Sequence, residues 1–248
     1  MTERHFEEQK RHAESYLIPY LQRRLPGFRG FQILEVGCAE AGFLEALAGR
    51  GIRASGLELE PGRVALAKAL SPSLEIFVGD ITDPAIAGRI GGTFDLIVMR
   101  DVIEHVFDRE AAFRNLRSLL NPAGFCYITF PPRFSPFAGH QQNGRTILRR
   151  IPYLHLLPPA WLRSLGRMTA EHPHIIDGAS ANFRNGLSIR RFESLCGSHG
   201  FEMKVEELYL LRPVYQTRMG LPPVRLPGIP FVREFLALGC ECLLQKSG

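Results

Sequence analysis

Short apolar runs at 32–36, 52–57, 74–78, 94–99 and 124–130 are separated by stretches at 42–50, 62–70 and 109–120 whose apolar residues recur at helical spacing. Strand and helix in such alternation predict a parallel sheet with crossover helices. Ahead of it, Phe6, Ala13, Leu17, Tyr20 and Leu21 make one apolar stripe. Residues 1–24 therefore read as a helix that Pro19 kinks or restarts and Pro26-Gly27 ends. The alternation stops after Phe130. From 131 to 185 the chain mixes Pro, Arg, His and aromatics with no period beyond a short helix near 160–168, and a stretch this long inside one domain is functional or a lid. A helix over 188–199 and a strand over 202–211 resume the pattern. The last apolar stretch, 229–244, is interrupted by Arg233, Glu234 and Glu241 and reads as a helix packed on the body.

Composition narrows the class without changing the architecture. The chain has 248 residues, 45% hydrophobic and 22% charged, enough for one full core plus an appendage. A formal charge of +5 is spread thinly, with Arg pairs only at 23–24, 149–150 and 190–191, so no nucleic-acid partner is expected. The five cysteines, Cys38, Cys126, Cys196, Cys240 and Cys242, are odd in number and show no C-x-x-C pair, which fits a reducing, cytoplasmic setting better than a disulfide framework. The charged N-terminal stretch does not read as a signal peptide, and no stretch is apolar for long enough to be expected to span a bilayer. Peripheral membrane contact by the 229–244 stretch stays open, as does the oligomeric state.

Chemistry enters at the first turn. The apolar run ends in Glu35-Val36-Gly37, passes through Cys38-Ala39-Glu40-Ala41-Gly42 and enters a helical pattern, and the second strand ends in Glu58-Leu59-Glu60. A strand, tight turn and helix followed by a carboxylate at the next strand end is a nucleoside-binding crossover, the acid accepting hydrogen bonds from ribose hydroxyls. The Gly-x-Gly-x-x-Gly spacing that brings backbone amides onto a pyrophosphate is missing, and Glu40 would face a pyrophosphate with like charge. A nicotinamide-dependent oxidoreductase is disfavoured on both counts.

The acidic-x-Gly-x-Gly-x-Gly pattern, read here as Glu35-Val36-Gly37-Cys38-Ala39-Glu40-Ala41, resembles motif I of class I S-adenosylmethionine-dependent methyltransferases. Two family glycines are alanines in this chain, and alanine resists the positive φ that glycine accepts. Asp80-Ile81 matches the family position at which an acid meets the adenine amino group and an apolar residue lies on the ring; Asp80 could equally cap the turn before Asp83-Pro84. Met99 to Val106, followed by Leu119-Leu120-Asn121-Pro122-Ala123-Gly124, resembles the signature of the ubiquinone-biosynthesis-like methyltransferases. The likeness covers about 32–132.

The resemblance implies a doubly wound, Rossmann-like, mostly parallel seven-stranded α/β sheet in a single domain. It divides into an N-terminal helical cap (1–28), a cofactor-binding core (29–130), an acceptor-site insertion or lid after the fifth strand (131–186) and the C-terminal part of the fold (187–248). It implies S-adenosylmethionine held by Glu35, Gly37, Cys38, Ala39, Glu58, Leu59, Asp80, Ile81, Arg100 and Asp101, and a methyl group passed to an oxygen of a small-molecule or lipid- or sugar-linked acceptor. Catalytic candidates are His105, Asp101 and His140. His105 has three readings: a general base with a near-neutral pKa, a ligand with Asp101 and Glu104 of a divalent ion that is possible but not favoured, or an ordering residue of its loop. The basic residues Arg145 to Arg150, Arg163 and Arg167 form a solvated face or meet an anionic acceptor. A degenerate, non-catalytic fold that binds the cofactor or a partner is the alternative.

Overall fold

The computed structural model describes residues 3–248, so the first two residues of the expected 1–28 cap lie outside the described residues. One sheet contains β1 (Ile33–Val36), β2 (Ala54–Glu58), β3 (Glu75–Val78), β4 (Phe94–Arg100), β5 (Leu120–Phe130), β6 (Phe201–Leu211), β7 (Val224–Leu226) and β8 (Gly239–Lys246). Their order is β3-β2-β1-β4-β5-β8-β6-β7. The first five strands are parallel, and β8, β6 and β7 add antiparallel pairs. Crossover helices Gly42–Ala48, Pro61–Leu70, Ile86–Ile90 and Arg109–Leu119 link the parallel strands. The expected mostly parallel α/β sheet is present, with eight strands in place of seven.

The main correction concerns the last apolar stretch. Instead of a helix over 229–244, a short helix Val232–Leu236 leads into β8, which lies inside the sheet between β5 and β6. Residues 239–244 are all buried, and a run apolar on both faces looks the same in sequence whether it is a central strand or a buried helix. Cys240, Cys242 and Leu244 join Cys126, Ile128 and Phe130 of β5 in one core layer, while Leu243 and Tyr127 belong to the opposite one. Glu241 shares that second face and is also buried. All five cysteines are buried and free.

The N-terminal segment covers the second face as helix Glu3–His12, a π-helical turn Ala13–Leu17 and helix Ile18–Arg24. The expected break at Pro19 takes this form because proline lacks the amide hydrogen and crowds the carbonyl one turn back, and a widened turn accommodates both. Leu17, Ile18, Tyr20 and Leu21 are buried against β1, β4 and β5.

The 131–186 insertion is more ordered than its composition indicates. Besides helix Pro159–Thr169 it contains helix Pro173–Asn185, which the sequence hides behind Gly178 and several weak helix formers. Leu148, Leu154, Leu162, Ile176 and Ala179 give it a small core of its own. Arg109, which donates to the carbonyls of Ile103 (3.1 Å), Glu104 (3.1 Å) and Asn185, ties it to the body. Among the described residues, no helix is long and apolar enough to cross a membrane.

Candidate active site

The strand order reverses between β1 and β4, and a cavity of about 720 Å³ opens there, the place where this sheet type takes ligands. Of the residues the resemblance assigns to the cofactor, Gly37, Ala39, Glu58, Leu59, Asp80, Ile81, Arg100 and Asp101 line it. Glu35 and Cys38 do not. Glu35 lies behind Arg100, whose Nε donates to its Oε1 at 3.1 Å, and the Cys38 side chain is packed close to Gly56, where an added Cβ would come within 2.7 Å of its Sγ.

The turn after β1 has left-handed backbone at alternate residues, Gly37, Ala39 and Ala41, with φ of 72°, 52° and 64°. Both alanines therefore occupy positions that favour glycine, at a cost of about 1–2 kcal/mol each. Local hydrogen bonds offset it: the amides of Ala39 and Ala41 donate to Glu58 Oε2 and the Cys38 carbonyl, each at 2.8 Å. The Gly42 amide donates to Gln9 Oε1 at 3.0 Å, joining the turn to the N-terminal helix. Glu40 does not face the cavity; it is buried and paired with His5, so the like-charge argument against a pyrophosphate fails at that residue. Ala41 contributes its methyl to the core, whereas Ala39 lies outside the core clusters and borders the cavity. Ala39→Gly should thus relieve strain at little packing cost and raise the melting temperature by about 1–3 °C in differential scanning calorimetry.

Glu58 is buried at the end of β2. Its Oε2 accepts from Ala39 and its Oε1 from the Glu60 amide at 3.0 Å, and each oxygen keeps a further lone pair. Asp80 makes the turn cap, its Oδ1 accepting from the Thr82 amide at 2.8 Å, and the residue also lines the cavity. Exposed Phe107, which the sequence reading did not single out, lies on the same wall.

At the β4 end, Asp101 has a left-handed backbone (φ 53°) and binds Arg212 Nη2 through both oxygens, at 2.6 and 2.8 Å. Burial alone would raise the Asp101 carboxyl, but the Arg212 guanidinium holds it below its ordinary range. Arg212 reaches Asp101 across Gly239, where an added Cβ would stand 2.8 Å from its Cγ, Cδ and Nε.

His105 also lines the cavity, and burial lowers its pKa while Asp101 opposes the shift. His140 lies outside it, in a neighbouring pocket of about 290 Å³, with its ring stacked on His105 at 5.4 Å. No residue of 131–186 lines the large cavity. The possible metal set changes accordingly: Glu104, His105 and His140 bring ligand atoms within 4.8 Å of one another, while Asp101 is engaged by Arg212. Among the described residues neither carboxylate oxygen of buried Glu104 has a hydrogen-bond partner, and burial, with Asp101 nearby, raises its pKa strongly.

The remaining walls come from segments far apart in the chain, for which local spacing carries little signal. His5, Glu8, Gln9 and His12 of the N-terminal helix face Tyr127 and Thr129 of β5, Glu241 of β8, and Arg212, Thr217 and Arg218 of the segment after β6. Burial, reinforced by Arg100, Arg212 and Arg218, lowers the His12 pKa to about 3, so this imidazole is neutral.

A family model described as a methyltransferase domain matches residues 9–203. Among curated proteins, the ubiquinone biosynthesis O-methyltransferase of Escherichia coli O127:H6 is 29% identical over 114 residues, covering 45% of this chain and 48% of the relative. The chain thus matches about half the length of these relatives. Among solved structures, an S-adenosylmethionine-dependent methyltransferase from Mesorhizobium loti aligns with TM-score 0.59 at 16% identity, over 94% of this chain and 100% of that one. The plantazolicin methyltransferase BamL, solved with a triazolic desmethylPZN analogue and SAH, aligns with TM-score 0.62 at 12% identity, over 99% of this chain and 88% of that one. At these identities the structural matches speak for the fold.

Proposed function

We propose that this chain, which belongs to the methyltransferase-domain family, is an S-adenosylmethionine-dependent methyltransferase that acts on an oxygen of a small-molecule or lipid-linked acceptor. The observation that carries the cofactor is the Glu58 carboxylate: it is fixed by two backbone amides, lines the cavity and has lone pairs to spare for a ribose diol. Asp80 and Ile81 would hold the adenine, and Gly37, Ala39 and Arg100 would surround the methionine end. Bound there, the cofactor supplies an electrophilic methyl group on a sulfonium.

The protein's own contribution is placement. Transfer to a nucleophile is an in-line displacement, so most of the rate comes from holding the acceptor oxygen in position and excluding water. Arg100 and Arg212, each neutralised by a carboxylate, form a rigid polar border between the two halves of the cavity. Asp101 serves by fixing Arg212, and His140 by stacking on His105, which reaches the cavity itself.

Oxygen is favoured over nitrogen because no Asn/Asp-Pro-Pro-aromatic signature is present; Phe130-Pro131-Pro132-Arg133 has only its prolines. The lipid-linked option draws on the insertion. Residues 131–186 hold seven arginines against two acids, a surplus equal to the formal charge of +5 on the whole chain. On helix Pro159–Thr169, Trp161 is 65% exposed and Met168 82%, an aromatic and an apolar side chain beside Arg163 and Arg167. Aromatic, apolar and cationic side chains together suit an anionic lipid interface.

Calorimetric titration with S-adenosylhomocysteine tests the cofactor, with micromolar affinity expected and absence of binding returning the chain to a scaffold role. Incubation with methyl-labelled cofactor and extracted cellular metabolites then tests the acceptor, label in the organic phase marking a lipid-linked one and label in the aqueous phase a small polar one.

A further inference from the structure

Across β4, β5, β8 and β6 the cavity side of the sheet carries a row of in-register polar residues: Arg100 opposite Thr129, Thr129 opposite Glu241, Glu241 opposite Glu207. Neighbouring strands are about 4.8 Å apart, which puts the Glu241 backbone roughly 10 Å from that of Arg100, on the far side of the polar border. Two phenols fix its carboxylate. Tyr127 and Tyr16 both donate to Oε2, at 2.7 and 2.9 Å. Among the described residues no donor reaches Oε1, and Glu241 lines the cavity. The carboxylate thus keeps one oxygen anchored and the other open to the cavity.

We infer that Glu241 is a catalytic base, its free Oε1 taking the proton of the acceptor hydroxyl as the methyl group is transferred. The inference rests on the methyltransferase reading above. The acceptor O–H bond breaks toward Oε1, the oxygen's electron pair forms the new carbon–oxygen bond, and the carbon–sulfur bond breaks with its pair onto sulfur. A sulfonium, a hydroxyl and a carboxylate become a thioether, an ether and a carboxylic acid, with charge conserved.

The surroundings suit this task. Burial raises the Glu241 pKa to about 7, against the lowering by Tyr127, Tyr16 and Arg212, with Glu207 raising it further. A base titrating near neutrality matches a weakly acidic hydroxyl. The other groups facing it are Tyr20 from the N-terminal segment and Tyr209 from β6, whose hydroxyl donates to Glu207 Oε2 at 2.6 Å and lies 3.2 Å from that of Tyr16. His12, on the same wall, is an unprotonated imidazole, but with its pKa lowered to about 3 it is a much weaker base than Glu241. Tyr16 and Tyr127 are positioning residues: by occupying Oε2 they leave Oε1 to the substrate.

The test uses 4-nitrocatechol, a phenol already ionised at pH 8, titrated into the protein saturated with S-adenosylhomocysteine. Calorimetry in buffers of different ionisation enthalpy counts the protons exchanged. A phenolate cannot enter beside an ionised carboxylate without a proton to share, so wild-type protein should take up about one proton per probe bound. Glu241→Gln should take up none while keeping its affinity for S-adenosylhomocysteine. Absence of probe binding, binding without proton uptake by the wild type, or uptake that survives in Glu241→Gln and is lost in His105→Gln each overturns the assignment. Failure of S-adenosylhomocysteine to bind the wild type overturns instead the methyltransferase reading beneath it.

Discussion

Glu58→Ala should weaken S-adenosylhomocysteine binding by about 100-fold or more. Two effects combine in that number. A carboxylate accepting from a ribose diol makes charge-assisted hydrogen bonds worth about 1.5–3 kcal/mol each, and two of them already account for a factor of 100. The same substitution strips the Ala39 and Glu60 amides of their acceptor, and Ala39 is one of the residues whose left-handed backbone needs that support. Glu58→Gln should be intermediate, because an amide nitrogen in place of one oxygen meets a backbone N–H with another donor. Isothermal titration calorimetry reads both, and a loss below threefold for the alanine variant would show that the ribose is held elsewhere.

The second large effect is expected at Gly42, where the N-terminal helix meets the helix after the turn. A Cβ built there stands 2.2 Å from the Phe6 carbonyl oxygen and 2.8 Å from Gln9 Cβ and the Lys10 nitrogen. Two of those three atoms are backbone, so no rotamer change relieves the contact and the helix itself has to move. Overpacking of this kind costs about 3 kcal/mol, or roughly 6–12 °C in melting temperature for a chain of this size. The functional loss should exceed the stability loss, since displacing Glu3–His12 also displaces Gln9 from the turn and His12 from the cavity wall. Gly42→Ala is therefore expected to lose most of its cofactor affinity even at temperatures where it remains folded. A melting temperature within 1 °C of the wild type would refute the contact. The retained glycine is thus explained by close approach of two helices, whereas Ala39 and Ala41 show that left-handed backbone alone does not enforce glycine in this turn.

The parts of the molecule that could be read in the sequence share a property: their signals are local. A strand, a turn and a helix over 33–48, followed by acids at the next two strand ends, announce Glu58 and Asp80, and both line the cavity. The other half of the cavity is assembled from His12, Tyr127, Arg212 and Glu241, residues separated by most of the chain. No spacing rule connects them, because what joins them is sheet register, and register depended on β8, a strand whose apolar run is equally compatible with a helix. The same misassignment placed Glu241 on a helix, among residues interrupting an apolar face. His140 shows the converse: histidines beside prolines and aromatics suggested an acceptor wall, but the insertion folds on its own small core and leaves the large cavity to the chain ends.

The placement of β8 has a consequence for how the molecule comes into being. It is the last of the described strands in chain order, yet it lies between β5 and β6, and its register partners stand 116 residues earlier at Tyr127–Leu243 and 32 residues earlier at Leu208–Cys240. During synthesis from the N-terminus β1 to β4 emerge first, whereas the sheet has a gap between β5 and β6 until β8 arrives. Contacts this distant in sequence are slow to form, and the open edges of β5 and β6 are exposed to wrong pairing meanwhile. The buried Glu241 carboxylate rides on that closing strand, so the half of the cavity it lines is completed only when the gap in the sheet is filled.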